Sequence, residues 1–485
     1  MAVSPQFYRN FLRAAAVLVV VLLFAGCASN ATMQELNSQA VNFCKEGKYA
    51  DAEKAAKSAL KAAEKKYGKE HPAVATALNS LALVYKNEGK YADSELRYKQ
   101  SLAILEQKLG KDHNFTAATL NNLAELYREQ GKFDLAEPLY EQALAIFEKK
   151  LGADSLNAGT ILKNQAALYK AQKKYAEAEP LLKRALAIDQ KSHGEKHPDV
   201  AADLNSLGEL CRAQHRYEEA ERFLQQALAM REAELGGEHR LVAASLDNLA
   251  LLRLAQGKNE MAEPLALRAL AIDEKALGKN HPDLVGDIDD LAWIYKAESK
   301  YDEAEQLFKR GLDIDENARG KNHADTAMDL TYLSRLYLAQ EKYAAAEPLA
   351  KRALAIREKL SGSTQQTIDE SMNDLAEIYF FQNKYTEAEP LLKRVLAGRE
   401  RAGSENPDVA SALNNLAALY KADGRYADAE PLYKRALAIW EKSLGNDNPT
   451  IANLLMNLAA LYRAQHKYND ASDCEKRAND IFHRP

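Results

Sequence analysis

The chain has 485 residues, of which 47% are hydrophobic, 28% charged and 8% aromatic. This composition is too apolar for a disordered chain and too charged for a polytopic membrane protein. Lys and Arg total 65 against 70 Asp and Glu, a net charge of −5, so no overall basic field indicates nucleic-acid binding. Four cysteines are too few for a disulfide scaffold.

The N-terminus has the pattern of a secretory signal peptide. Arg9 and Arg13 precede an unbroken apolar run, Ala14 to Gly26. This run is shorter than the ~20 residues that a membrane-spanning helix needs, and it fits the apolar segment of a cleaved signal. The alternative is an uncleaved N-terminal anchor in which the following cysteine is incidental.

The run ends in the letters LFAGC at residues 23–27, followed by Ala28. This ending resembles the lipobox of bacterial lipoproteins. The resemblance implies that residues 1–26 are removed, that Cys27 is acylated, and that residues 27–31 form a tether. Acyl chains hold a protein at a bilayer surface without a spanning helix. Alanine, rather than aspartate, follows the cysteine, and this pattern resembles that of lipoproteins sorted to the outer membrane. The resemblance implies a lipid-anchored protein of the bacterial envelope that faces the periplasm.

Residues 32–485 consist of one motif repeated eleven times. The segment GKYADAEKAAKSAL at residue 47 recurs as GKYADSELRYKQSL at 89 and GKFDLAEPLYEQAL at 131, and equivalent positions continue to 466 at intervals of 42, with one of 41. Apolar residues recur at three- and four-residue spacing on both sides of each Gly-Lys turn, which predicts two helices per repeat. We expect glycine to end each second helix and proline to begin many first helices. A second proline column, Pro138 to Pro431, is expected within about the first turn of the second helix.

Two columns of small residues predict close packing of each helix pair. One runs through the first helices from Ala40 to Ala459, and the other through the second helices from Ala52 to Ala471. Helix axes approach to about 8 Å only where side chains are this small. With the turn tyrosine, this pattern resembles the tetratricopeptide repeat. The 42-residue length and letters such as LNNLA and LYKRALAI resemble the repeats of kinesin light chain. The resemblance implies an all-α, right-handed superhelical solenoid with a concave peptide-binding face.

No residue arrangement indicates an enzyme. No nucleotide-binding, nucleophile-elbow or zinc-protease motif occurs in a structural context that would support its function. Cys44, Cys211 and Cys474 fall in different repeats and are interpreted as packing thiols. A histidine column is expected to cap helices, because equivalent positions of stacked helix pairs lie on the order of 10 Å apart, too far to share a metal. We therefore expect no catalytic residue, metal, cofactor or small-molecule substrate. The histidines of this column are His71, His113, His197, His239, His281 and His323.

The predicted binding face consists of asparagines on the first helices. Asparagine is a poor residue for a helix interior, so its recurrence beside the small column indicates a function. Amides donate to and accept from an extended peptide backbone. The alternative is a solvated face with Asn–Asn bonds between adjacent repeats. The candidates are Asn79, Asn121, Asn122, Asn164, Asn205, Asn248, Asn373, Asn414 and Asn415.

A basic column lies four residues past the small column, on a chain of net negative charge. It indicates a ligand with carboxylates or phosphates, unless it is only a solvated face. Its candidate residues are Lys86, Arg128, Lys170 and Arg212. Trp293, Tyr332 and Arg335 are expected to cluster as binding anchors, with local core packing as the alternative.

These patterns favour a membrane-anchored scaffold that binds an extended peptide or a partner protein in a concave groove. The alternative is a structural or assembly subunit of an envelope complex that uses its convex face or its ends. Repeat 6 departs from the pattern, since Arg253 and Asn259 replace two tyrosines. It is therefore predicted to form the loosest junction.

Overall fold

The computed structural model describes residues 31–45, 47–360 and 364–483. Over these ranges the chain is α-helical apart from turns and one 3₁₀ turn, and it contains no strand. The predicted signal peptide and Cys27 lie outside the described residues. None of the described helices has the length and apolar character needed to cross a bilayer.

The described helices form eleven successive pairs, and each pair is one repeat. Odd numbers denote the first helix of a repeat and even numbers the second. The helices are α1 Ala31–Lys45, α2 Tyr49–Tyr67, α3 Pro72–Asn87, α4 Tyr91–Leu109, α5 Asn114–Glu129, α6 Phe133–Leu151, α7 Leu156–Ala171, α8 Tyr175–His193, α9 Pro198–Ala213, α10 Tyr217–Leu235, α11 Arg240–Ala255, α12 Asn259–Leu277, α13 Val285–Ala297, α14 Tyr301–Ala318, α15 Ala324–Ala339, α16 Tyr343–Lys359, α17 Gln365–Phe381, α18 Tyr385–Ala402, α19 Pro407–Ala422, α20 Tyr426–Leu444, α21 Pro449–Ala464 and α22 Tyr468–Phe482.

The two helices of a repeat pack at the predicted small residues. Ala82 in α3 and Ser94 in α4 are fully buried, and Ser94 Oγ donates a hydrogen bond to the Ala82 carbonyl oxygen at 2.8 Å. In repeat 8, Ser334 Oγ donates to the Ala346 carbonyl oxygen at 3.2 Å. A side chain that reaches the backbone of the neighbouring helix requires close helix approach. The prediction of small-residue packing is confirmed.

Repeat junctions within the described residues combine a left-handed glycine with a helix cap. Gly152, with φ +94°, follows α6, and glycines at equivalent junctions share this conformation. At the start of α5, His113 Nδ1 accepts a hydrogen bond from the Phe115 backbone N–H at 3.1 Å. The other five histidines of the column accept the same bond, and Asn406 and Asn448 accept it through Oδ1. The predicted capping role is confirmed.

Proline positions differ slightly from the prediction. Proline begins α3, α9, α19 and α21 as expected, but Pro282 begins a 3₁₀ turn, Pro282–Leu284, that precedes α13. Members of the second proline column lie about one turn deeper in their helices than predicted. Pro138 lies five residues after Phe133, because α6 already begins at that turn residue. Any other residue at position 138 would donate its backbone N–H to the carbonyl oxygen of Asp134 in the first turn.

Repeat 6 replaces one tyrosine contact and loses another. Tyr127 OH donates to Glu95 Oε1 at 2.9 Å, and at the equivalent place the Arg253 guanidinium donates to both carboxylate oxygens of Glu221, at 2.6 and 2.9 Å. At the position of the second tyrosine, Asn259 Nδ2 donates to the Ala297 carbonyl oxygen at 3.3 Å, and an open cleft lies beside the start of α12. The charged hydrogen bond of Arg253 therefore replaces one of the two missing tyrosine contacts, and Asn259 supplies no such charged bond at the other.

The chain divides into two compact units. Residues up to Asp329, with Leu360, form the first, and Leu330–Lys359 with the residues from 364 onward form the second. Within the first unit, α1 contacts α3, α5 contacts α7, α9 contacts α11, and α11 contacts α13. Within the second, α19 contacts α21. First helices therefore form the inner layer of each unit.

Repeats far apart in sequence also meet within the first unit. A Cβ atom built on Gly47 would lie 2.7 Å from Pro282 Cγ, closer than packed atoms allow. A Cβ atom on Gly89 would lie 3.3 Å from His323 Nε2. Repeats 1 and 2 thus lie against the junctions that precede and follow repeat 7. This approach of repeats 1 and 2 to the junctions of repeat 7 accompanies the burial of many polar side chains on the inner layer of the first unit.

Candidate functional site

Several candidate asparagines bond to the next repeat. In the first unit, Asn164 Nδ2 on α7 donates to Asn121 Oδ1 on α5 at 2.8 Å. In the second unit, Asn457 Nδ2 on α21 donates to Asn414 Oδ1 on α19 at 3.2 Å. These are the Asn–Asn bonds that the alternative interpretation expects. They account for part of the asparagine column without a ligand.

Other amides leave an oxygen without a partner. Asn79 Nδ2 donates to Thr119 Oγ1 at 2.8 Å and Asn205 Nδ2 donates to Ser245 Oγ at 3.0 Å. Within the described chain, the Oδ1 atoms of both, and that of Asn373, accept no hydrogen bond and are covered. An unused buried acceptor costs roughly 1–3 kcal/mol. These amides retain the capacity to accept an N–H, but only if the inner layer opens.

Access to the amides differs between the two compact units. In the first unit Asn121 and Asn205 are buried, whereas Asn79, Asn122, Asn164 and Asn248 are half-buried. In the second unit Asn373 and Asn414 are half-buried and Asn415 is exposed. The accessible end of the predicted amide ladder therefore lies in repeat 10.

The basic column of the first unit is buried against carboxylates. Lys86 Nζ lies 3.0 Å from both Glu125 Oε1 and Glu129 Oε1. Burial alone would lower the pKa of Lys86, but the two carboxylates outweigh burial and raise it. Lys170 Nζ has Glu209 Oε2 at 2.9 Å, and here burial prevails and lowers the pKa of Lys170. Lys86 has two facing carboxylates, whereas the charges of Arg212 and Arg128 add to the effect of burial on Lys170.

Arg128 and Arg212 complete this column. Burial opposes the charge of Arg128, yet Tyr140, Glu125 and Glu129 raise its pKa. Burial lowers the pKa of Arg212, against the opposing charges of Glu209 and Asp290. Lys86, Arg128 and Lys170 are thus covered in this conformation, and their role in ligand binding stays a prediction. The sequence columns do not reveal this pairing, because each carboxylate of Lys86 and Lys170 comes from the next repeat.

A group of buried aspartates lies on the inner layer of repeats 6 and 7. Asp247 on α11 and Asp287, Asp289 and Asp290 on α13 are all buried. Burial raises the pKa of Asp247 well above its usual value, and the charges of Asp287 and Asp290 raise it further. The signal was present in the sequence, since Asp247, Asp289 and Asp290 occupy the asparagine columns.

The predicted anchors pack within the protein. The Trp293 and Phe308 rings lie 5.4 Å apart at 73°, with Lys296 Nζ 4.6 Å from the Trp293 ring centre. Tyr332, in the second compact unit, is fully buried. The burial of the Tyr332 ring fits the alternative of local core packing, and its role as a binding anchor stays a prediction.

Arg335 pairs with a carboxylate in the next repeat. Its Nε lies 3.1 Å from Asp374 Oδ1 and its Nη2 lies 3.0 Å from Asp374 Oδ2. Burial opposes the charge of Arg335, but the carboxylate prevails and raises its pKa. The guanidinium edge that would grip a ligand carboxylate is therefore engaged inside the protein.

Lys421 is the exception in the basic column. It lies on α19, two turns after Asn414, and is half-buried. Burial lowers the pKa of Lys421, and no carboxylate among the described residues pairs with it. On the adjacent first helix, Met456 is 42% exposed. We term Asn414, Asn415, Lys421 and Met456 the repeat-10 patch. It combines amides, an unpaired cation and an apolar side chain on the inner face of the second unit.

Comparisons with known proteins identify the repeat. The tetratricopeptide repeat profile matches residues 31–107, 88–149, 115–191, 157–233, 204–275, 241–317, 284–359, 367–439 and 408–482. Among solved structures, BtubC (BKLC) from P. vanneervenii is 24% identical over 52% of this chain and 94% of its own, with a TM-score of 0.39. A putative kinesin light chain of Podosopora anserina with nearly identical TPR-like repeats is 28% identical over 43% and 98%, with a TM-score of 0.35. A Rap protein complexed with competence and sporulation factor is 18% identical over 77% and 98%, with a TM-score of 0.48. No curated protein shows a significant match.

Proposed function

We propose, since the chain belongs to the tetratricopeptide repeat family, that it is a scaffold that binds a partner protein or an extended peptide on the inner face of its first helices. The observation that carries this proposal is the unpaired Lys421 in the repeat-10 patch. A half-buried ammonium without a counter-ion has lost hydration that a ligand carboxylate would replace.

The repeat-10 patch suits a peptide with an acidic group. The exposed amide of Asn415 has donor and acceptor capacity for a peptide backbone. Met456 offers a flexible apolar surface that adapts to different side chains. Lys421 would bind a carboxylate, either from an acidic side chain or from a chain terminus. Binding of a carboxylate would raise the pKa of Lys421, so we expect weaker binding as the pH rises toward the titration of the free lysine.

The proposal is tested by recovery of partners from a bacterial envelope extract. Lys421→Gln and Asn415→Ala are expected to reduce the recovered partner, because each removes one contact and leaves the helix intact. Lys476→Gln, an exposed position on α22 of the same unit, serves as the control and should recover as much partner as the wild type. Undiminished recovery with both patch variants would contradict the inner face and favour an assembly subunit that uses its convex face or ends.

We also propose that a lipid on Cys27 anchors the scaffold to the outer membrane, facing the periplasm. The support is the lipobox-like LFAGC after a short apolar run. Cys27→Ser is expected to abolish acyl labelling and to release the protein from the membrane fraction of a Gram-negative host. Cys44→Ser, within α1, is the matched control. Acyl labelling and membrane fractionation that persist in Cys27→Ser would contradict the anchor.

A further inference from the structure

The junction between repeats 4 and 5 holds two histidines and an aspartate together. His193 is the last residue of α8, His197 caps α9, and Asp199 lies in the first turn of α9. Gly194, with φ +83°, reverses the chain between the two helices. The reversal places the three side chains close together at the surface of the first compact unit.

The geometry of these side chains is close to that of a metal site. One possible ligand atom from each residue lies within 4.8 Å of the others. Asp199 Oδ2 is 3.4 Å from His197 Nδ1 and 3.9 Å from His193 Nδ1. Ligand bonds of about 2.0–2.2 Å in a tetrahedral site separate the ligand atoms by about 3.4 Å. The His193 and His197 rings stack 4.3 Å apart at 17°, so metal binding would require the His193 ring to turn out of this stack toward the other two ligands.

Capping does not account for this cluster. His239 caps α11 without a second histidine, since Leu235 stands where His193 does. His281 is followed by Asp283, and His281 Nδ1 caps the next helical turn, yet Leu277 occupies the position of His193. In this chain, only the junction between repeats 4 and 5 adds a second histidine to the capping histidine and the aspartate.

We propose that His193, His197 and Asp199 bind a divalent transition metal ion, of which Zn²⁺ is the best match. Two imidazole nitrogens and one carboxylate oxygen form a ligand set that suits Zn²⁺, Co²⁺, Ni²⁺ or Cu²⁺, whereas Ca²⁺ and Mg²⁺ prefer oxygen ligands. Three protein ligands leave a coordination position for water or for a ligand from a partner. The positive end of α9 opposes a cation, and the carboxylate of Asp199 offsets that effect.

Metal binding would replace the helix cap at this junction. His197 Nδ1 accepts the Asp199 backbone N–H at 3.2 Å. A neutral imidazole has one acceptor nitrogen, so His197 cannot bind a metal and retain this hydrogen bond. Asparagine caps helices at the equivalent positions 406 and 448. His197→Asn therefore removes the metal ligand while it retains a capping side chain, which separates the two roles of His197.

The test is Zn²⁺ binding by the full chain after treatment with a chelator, measured by competition with a chromogenic zinc indicator. Co²⁺ absorption would report the coordination geometry. We expect one site in the wild type and a loss of affinity of at least about tenfold, or ~1.4 kcal/mol, in both His193→Leu and His197→Asn. Zn²⁺ should raise the thermal unfolding midpoint of the wild type more than that of His193→Leu. The matched control is His239→Asn, which alters a capping histidine that lacks the other two ligands.

Two results would overturn the proposal. The first is wild-type affinity in both His193→Leu and His197→Asn. The second is an equal loss of affinity in His239→Asn, because that would assign zinc binding to surface histidines in general. Circular dichroism of each variant shows that a loss of binding does not come from unfolding.

Discussion

Asp203 on α9 provides a quantitative test of how the repeat core tolerates a buried charge. Its side chain is fully buried, and Lys163 Nζ lies 3.3 Å from Asp203 Oδ1 and 2.9 Å from Asp189 Oδ2. Burial raises the pKa of Asp203 to about 7, with Lys163 opposing the rise and Asp189 adding to it. The single ammonium of Lys163 therefore pairs with two carboxylates, and it lies farther from Asp203 than from Asp189.

The sign of the pH dependence follows from the raised pKa. The unfolded chain releases this proton near pH 3.9, whereas the folded protein retains it up to about pH 7. Stability from this group is therefore fully present below about pH 4 and is lost as the pH rises through 7. Between pH 5 and pH 7 the unfolded chain is ionised at Asp203 while the folded chain stays protonated, so the free energy of unfolding is expected to fall by about 2.7 kcal/mol by pH 8. Asp203→Asn removes this loss, since the amide does not ionise.

Urea unfolding followed by circular dichroism at pH 5 and pH 8 measures the effect. The stability of Asp203→Asn relative to the wild type should increase by about 2.7 kcal/mol from pH 5 to pH 8. Asp134→Asn, an exposed carboxylate on α6, is the control and should show no such change. The same difference between Asp203→Asn and the wild type at both pH values would refute the reasoning.

Three further predictions concern packing, junctions and charge. Gly208→Ala should destabilise the protein by about 1 kcal/mol in urea unfolding, because the new Cβ would lie 2.6 Å from Leu224 Cγ. The cost should disappear when Leu224→Ala is also present, and a fully additive double variant would contradict this contact. Hydrogen exchange should be faster in α11 and α12, around Asn259, than in α5 and α6, whereas uniform protection would contradict a loose repeat 6. Lys170→Ala should cost about 3 kcal/mol because it leaves Glu209 without its buried partner. Adding Glu209→Gln should recover part of that loss, and no recovery would contradict the charge argument.

Local features were predictable from the sequence because they depend on neighbours within one repeat. His113 and Asn406 precede helix starts, where a side-chain acceptor serves the free N–H groups. Ala82 and Ser94 recur with the helix period and repeat spacing, which identified the packed surface. These features established the two-helix repeat and the all-α solenoid.

The availability of the binding face depends on contacts between repeats, which columns of single residues do not contain. Lys86 and Lys421 occupy the same column, yet Lys86 faces two carboxylates and Lys421 faces none among the described residues. The approach of Gly47 to Pro282 joins repeats that are distant in sequence. Accessibility is therefore set by the tertiary arrangement, and the sequence alone placed the binding candidates evenly along the chain.

Site-specific photocrosslinking in cells tests most directly whether the inner face of the first helices binds the partner. A photoreactive amino acid would replace Asn415 in the repeat-10 patch, or Lys434 on the second helix α20, which is also exposed. The account predicts a covalent partner adduct from position 415 and none from position 434. An adduct from position 434 without one from position 415 would contradict it.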